Sequence, residues 1–275
     1  MLIATLSFSA MHATIKLVSS DIHPFEVAFF RNFFGLIALF PFFFKYGFSP
    51  LKTKHIGLHG IRVGLNICSM MAFFYAISIT PLAEVITLSF AAPIVATILA
   101  IFFFKEIVAL SRWLAILLGF AGTIVVLRPL YAEISLGPIL ALLSAITWGA
   151  AVILIKILSK TESSLTITAY MVLLLTPLSL IPALFVWQWP SLEQLGWLAL
   201  IGCFGTIGHL SMNQAIKKAP TNVVMPIDFV RLVWVAIIGY IVFAEVPDIF
   251  VWIGGAMICT SGLWIAQLEN KKRRT

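Results

Sequence analysis

Asp228 and Arg231 stand three residues apart in a stretch otherwise fit for hydrocarbon. On a helix that spacing puts both on one face, within reach of an ion pair. A charged side chain at the bilayer centre costs roughly 2.5–3.5 kcal/mol on insertion scales, so such residues mark sites and bring partners. Arg231 can grip a carboxylate through two parallel N–H bonds. Asp228 would hold the guanidinium in place. It would also take up a proton when a substrate carboxylate competes for Arg231, which is a route to proton coupling. The plainer reading is a self-neutralised packing pair, but apolar residues replace such pairs easily.

Further polar residues interrupt the apolar runs. His12 falls in line with Phe8 and Lys16 at helical spacing. Its ring can shuttle a proton near neutral pH or donate one hydrogen bond to a neighbouring helix. His209 and Asn213, four apart, form a second polar stripe. Asn66, and Thr147 beside Trp148, lie near the middle of long apolar segments, with Tyr75 nearer an end and Trp234 close to Arg231. Aromatic rings with a few polar groups are what a pocket for a small organic molecule needs. With 23 Phe and 8 Trp in the chain, any single ring is otherwise packing or lipid-facing. These residues together form the candidate substrate site. Pro93 and Pro226 each remove a backbone hydrogen bond and are candidate gates, or static bends. Arg31 with Glu26 reads as a structural or interfacial pair, and Gly119, Gly122, Gly254 and Gly255 as points of close helix contact.

No HExxH metal site, GxSxG nucleophile turn or P-loop occurs, so neither enzymatic chemistry nor ATP as an energy source is expected. Cys68, Cys203 and Cys259 lie far apart inside apolar stretches without metal-ligand spacing, and no cofactor is implied. MLIATLSFSA lacks the basic start of a signal peptide.

The elements that must position these residues are membrane helices. The chain is 61% hydrophobic and 11% charged, with a mean hydropathy of +1.07. A soluble domain carries about 25% charged residues, so lipid is the solvent here. The 275 residues suffice for about ten helices of roughly 20 residues each. Expected spans are 1–18, 25–44, 56–79, 83–104, 110–127, 136–158, 165–187, 193–216, 222–243 and 249–268. The long apolar runs exclude a β-barrel.

The segment from Ala76 to Trp113 nearly repeats, without a gap, from Ala215 to Trp252. Ala76, Ile77, Pro81, Val85, Phe90, Phe104, Glu106 and Trp113 meet Ala215, Ile216, Pro220, Val224, Phe229, Phe243, Glu245 and Trp252. A period near half the chain length points to two duplicated halves, as in many secondary transporters. The expected repeats are 1–128 and 139–275, the second with a basic cytoplasmic tail, joined by a loop over 129–138. The basic residues set the orientation. With a cytoplasmic N-terminus, Lys45, Lys52, Lys54, Arg62, Lys105, Arg112, Lys156, Lys160, Lys217, Lys218 and the Lys271–Arg274 run all face the cytoplasm. Lys16 and Arg128 fall outside, while Arg31 and Arg231 lie within spans. Five spans per half make the repeat inverted, with both termini cytoplasmic in a bacterial inner membrane. The net charge of +7 is thereby explained without nucleic acid.

These features resemble the drug/metabolite transporter superfamily, in its EamA-type branch. The resemblance rests on Ile15-Lys16, on Pro24 to Arg31 opening the second span, on the Pro81 and Pro220 pair, and on Glu106 and Glu245 followed by Trp113 and Trp252. A short part of span 2 is also similar to S-adenosylmethionine carriers of the superfamily. Tyr170 departs from the pattern, standing near the position of an expected second-half arginine. The resemblance implies a central cavity walled mainly by spans 3, 4, 8 and 9, with 1 and 6 contributing and 5 and 10 as scaffold. The expected function is a secondary transporter for a small organic metabolite, an amino acid or nucleoside-like compound. A lipid-handling flippase or intramembrane enzyme is the alternative. The expected partners are the small-molecule substrate and the bilayer, with a monomer or homodimer as the assembly.

Overall fold

The computed structural model describes residues 1–47, 51–92, 94–96, 98–99, 110–127, 135–218 and 227–272. Within them the chain is helical: α1 (Leu2–Val18), α2 (Pro24–Tyr46), α3 (Ile56–Ile79), α4 (Leu82–Ser89), α5 (Leu110–Leu127), α6 (Leu136–Leu158), α7 (Ser164–Leu184), α8 (Leu192–Lys218), α9 (Val230–Phe243) and α10 (Ile249–Lys272). By length and composition, α2, α3, α6, α7 and α8 can each cross a membrane, and shorter apolar helices include α1 and α9. Lipid offers the backbone no hydrogen bonds, so each segment must satisfy its own groups. Buried hydroxyls follow the same rule. Ser9 donates to the Thr5 carbonyl, Thr87 to Ala83 and Ser179 to Leu175, each one turn back. The outer surface keeps exposed Phe40, Phe44, Leu184 and Ile241, residues suited to acyl chains.

Local chemistry sets several helix ends. His23 caps α2 by accepting the Phe25 N–H at its Nδ1 (3.2 Å), with Pro24 at the first helical position. Ser163 caps α7 through the Thr166 N–H at 2.9 Å. At its other end α9 stops at Ala244, which adopts a left-handed φ of 53°.

Contacts between the halves come in exchanged pairs. α3 packs on α6 and α1 on α8; α4 packs on α6 and α1 on α9; α2 meets α7, α4 meets α9 and α5 meets α10. Exchanging the first five helices for the last five leaves that pattern unchanged. The α5–α10 contact has the close approach that the glycines lead one to expect. A Cβ on Gly122 would sit 2.7 Å from the Gly254 carbonyl oxygen, and one on Gly254 2.6 Å from that of Gly122. Ser261 on α10 donates to the Ala115 carbonyl on α5 at 2.6 Å.

The two repeat copies break at matching places. α4 ends at Ser89, followed by a turn at Phe90 and Ala91 in which the Phe90 N–H bonds to the Thr87 carbonyl. Before α9, Ile227 and Asp228 are helical and Phe229 is a turn. Phe90 and Phe229 are matching residues of the repeat, and their rings meet edge to face at 5.1 Å. The candidate gates Pro93 and Pro226 lie outside the described residues. Broken helices at corresponding positions of two halves are the feature that marks binding sites in this kind of architecture.

Candidate functional site

The breaks open onto a central cavity of about 350 Å³, mostly apolar, with a few convergent polar groups. Of the sequence-predicted residues, Arg231, Asp228, His12, Asn66, Trp148 and His209 line it. Helix α1 supplies Phe8 and His12 on one stripe, α3 supplies Asn66 and Ser69, and α6 supplies Ser144 and Trp148. Ser69 donates to the Ser144 carbonyl at 3.1 Å, and the two hydroxyls stand 3.0 Å apart, tying α3 to α6 in the wall. The wall draws on more elements than the resemblance implies: α2, α7 and α10 also contribute.

Arg231 and Asp228 form the expected pair, but loosely. One Nη2–Oδ2 contact of 3.3 Å joins them. The buried Nε of Arg231 has no partner, and the guanidinium lies 5.0 Å from the centre of the Phe90 ring. Most of the guanidinium's hydrogen-bonding capacity is thus still free to meet a ligand. The His12 ring packs against Phe8 and Phe73, with its Nδ1 buried and unpartnered. His209 sits edge-on to both Phe8 (5.1 Å) and Trp148 (6.0 Å), again with a buried, unpartnered Nδ1.

Four candidates fall outside the cavity wall. The Thr147 hydroxyl bonds back to the Leu143 and Ser144 carbonyls. The Asn213 amide donates to Thr168 Oγ1 at 2.9 Å. Tyr75 packs against His23 and Phe25, and Trp234 is half-buried beyond the wall with its Nε1 unpartnered.

Arg31 requires a correction. It does not pair with Glu26, which accepts the Gln188 N–H instead. Arg31 is buried, lines the cavity and donates to Asn32 Oδ1 at 2.7 Å. A Cβ on Gly205 would lie 3.0 Å from its Nε, so a glycine on α8 gives the side chain its space. Arg62 requires another: read as a cytoplasm-facing charge, it is fully buried on α3.

The cavity reaches exposed residues at one end, where Lys156, Ile157 and Lys160 close α6. The opposite end of α1 is held by polar ties. Lys16 Nζ lies 2.6 Å from Glu245 Oε1 and donates to the Thr80 carbonyl at 2.7 Å. Glu245 Oε2 accepts the Leu82 N–H at 2.9 Å. One clasp therefore joins α1, the start of α4 and the chain just beyond α9.

The model of the EamA-like transporter family matches residues 1–128 and again 135–267. The chain belongs to the EamA-like transporter family. It is a multi-pass membrane protein and a transporter of small metabolites, not an enzyme. Among similar proteins is an S-adenosylmethionine uptake transporter of Rickettsia bellii, 30% identical over 98% of this chain and 93% of that one. Its counterpart in Rickettsia felis is 31% identical over 98% and 92%. A riboflavin transporter of Vibrio cholerae is 30% identical over 100% and 94%. A solved crystal structure superposes with a TM-score of 0.68 at 17% identity, covering 96% of both chains, a likeness that shows the fold.

Proposed function

We propose that this EamA-like protein is a secondary transporter that carries an amino-acid-bearing or nucleoside-like metabolite by alternating access. The observation that carries the reading is the shared cavity of Arg231, Asp228, Arg31 and His12 with an aromatic wall. The two guanidiniums suit a carboxylate, Asp228 suits a cationic group, and Phe8, Trp148 and Phe229 offer ring faces for a flat heterocycle. Relatives named for S-adenosylmethionine and riboflavin uptake make molecules of that size and kind the first to test. On this reading Lys156 and Lys160 mark a cytoplasmic mouth and the Lys16–Glu245 clasp closes the outer side, so the state seen faces inward.

The direct test is uptake of labelled S-adenosylmethionine and riboflavin into proteoliposomes, with and without an imposed pH gradient. Saturable uptake of one of them is the expected result, and none of either would overturn the substrate class. If a proton is coupled through Asp228, Asp228→Asn removes the response to the gradient and the parent keeps it. The orientation, with both termini cytoplasmic, is tested separately by single-cysteine labelling. A reagent confined to the outside should label position 20 and leave position 52 untouched; the reverse pattern inverts the reading.

A further inference from the structure

Helix α3 carries a buried polar stripe that runs away from the cavity: His59, Arg62, Asn66 and Ser69, at successive turns of one face. Asn66 and Ser69 belong to the cavity wall. Arg62, one turn beyond Asn66, is completely buried and among the described residues makes a single hydrogen bond, from Nη1 to the Ile167 carbonyl on α7 at 2.8 Å. Its Nε and Nη2 are buried and without partners, and among the described residues no carboxylate stands within ion-pair distance. Those two nitrogens form the side-on edge of the guanidinium, the edge that takes both oxygens of a carboxylate. A buried cation left in this condition is costly unless something anionic meets it.

Unmet polar groups flank that edge on both sides. Both Asn66 amide atoms are buried and unpartnered, one turn away on the cavity side. His59, one turn away on the other side, stacks on Tyr170 at 4.5 Å with both ring nitrogens unpartnered. Tyr170 is fixed by its own bond to the Leu51 carbonyl. On α8, Asn213 bonds Thr168, next to the Ile167 that anchors Arg62, and keeps its Oδ1 unpartnered. Glu162, in the loop between α6 and α7, accepts the Thr53 hydroxyl at 2.6 Å.

We infer that the free Nε/Nη2 edge of Arg62, flanked by Asn66 and His59, is a second oxyanion-binding station, displaced from the central cavity along α3. Its ligand is a carboxylate or a small inorganic oxyanion. Where the ligand is the carboxylate of the transported metabolite, the inference rests on the transport reading. It then gives the anionic end of the substrate a second cation to move to on its way to the α6 mouth. The site on α3 otherwise stands independently of what is carried.

The test uses the purified full-length protein and thermal unfolding at constant ionic strength, with a bulky organic sulfonate as the balancing anion. Sodium acetate, sodium nitrate and sodium phosphate are titrated separately. The expected result is a saturable rise of several degrees in Tm with at least one of them, retained in Arg231→Gln and absent in Arg62→Gln. Arg62→Lys keeps the charge but loses the planar edge, and should weaken the apparent affinity at least tenfold. That variant decides the matter if Arg62→Gln does not fold. A response to acetate alone assigns the station to an organic carboxylate, and a response to nitrate or phosphate assigns it to a free anion. No saturable rise in the parent, or an equal rise in Arg62→Gln or Arg62→Lys, overturns the station. Failure of both S-adenosylmethionine and riboflavin uptake would count against the substrate reading and leave this measurement to stand on its own.

Discussion

Arg231→Ala is expected to abolish substrate binding while the protein still inserts and folds. The residue lines the cavity beside the broken start of α9, and one long contact to Asp228 is its only ion pair among the described residues. Truncation therefore removes little packing and one weak tie, but it takes away a guanidinium with unused donors. A hydrogen bond to a charged group contributes about 1.5–3 kcal/mol, so losing a bidentate grip weakens binding by roughly one hundredfold or more at tenfold per about 1.4 kcal/mol. Arg231→Lys should recover only part of this, because a point charge cannot replace the fork. Equilibrium binding of the transported compound, measured alongside a size-exclusion profile, decides the question. Unchanged binding in a well-folded Arg231→Ala protein would make the residue a packing element. Arg31→Ala should show a similar loss if the two guanidiniums share one carboxylate, and no loss if Arg31 serves Asn32 alone.

The fold was legible because lipid forbids most alternatives. Each span had to be a helix, and the near-copy of Ala76–Trp113 at Ala215–Trp252 announced the two halves before any contact was known. Arg231, Asp228, His12 and His209 were legible for a related reason: a charge or ring nitrogen in hydrocarbon must face something polar, and here that is the cavity. Arg31 misled because Glu26 stands near it in sequence. Five residues on a helix of 3.6 per turn place the two about 140° apart, on different faces, and each found another partner. Arg62 misled because positive-inside counting treats any basic residue near a helix end as a loop charge, whereas the side chain turns inward to α7. Tyr75 and Thr147 had the right chemistry for a pocket. Tyr75 was taken up by aromatic packing at the start of α2, and Thr147 by bonds to its own helix. Nothing in a hydroxyl's position along the chain distinguishes those uses.

The clasp between Lys16 and Glu245 was the part the sequence could least reveal, since its members come from opposite ends of the chain. Glu245 is used twice, on the Lys16 ammonium and on the Leu82 N–H, and Lys16 is used twice, on Glu245 and on the Thr80 carbonyl. Both side chains are largely shielded, at 15% and 22% exposure, so the pair escapes most of the screening that weakens surface salt bridges. The left-handed residue Ala244 precedes Glu245, and such a conformation in a non-glycine residue persists only where its surroundings hold it. If this end must part for substrate to enter from outside, weakening the clasp shifts the population toward the outward-open form. Glu245→Gln keeps an acceptor for Leu82 but removes the ion pair, and Lys16→Met removes the donor to Thr80 as well. Each should raise labelling by an outside thiol reagent at a cysteine placed at Ser89, in a background lacking Cys68, Cys203 and Cys259, by roughly tenfold for each 1.4 kcal/mol lost. Uptake should fall in both, because a transporter biased to one face completes fewer cycles. The exchanged double variant Lys16→Glu/Glu245→Lys restores the opposite charges but leaves the Leu82 N–H without its carboxylate, so it should recover only partly. If labelling at Ser89 and uptake are both unchanged in Glu245→Gln, the clasp is a static tie and the moving gate lies elsewhere.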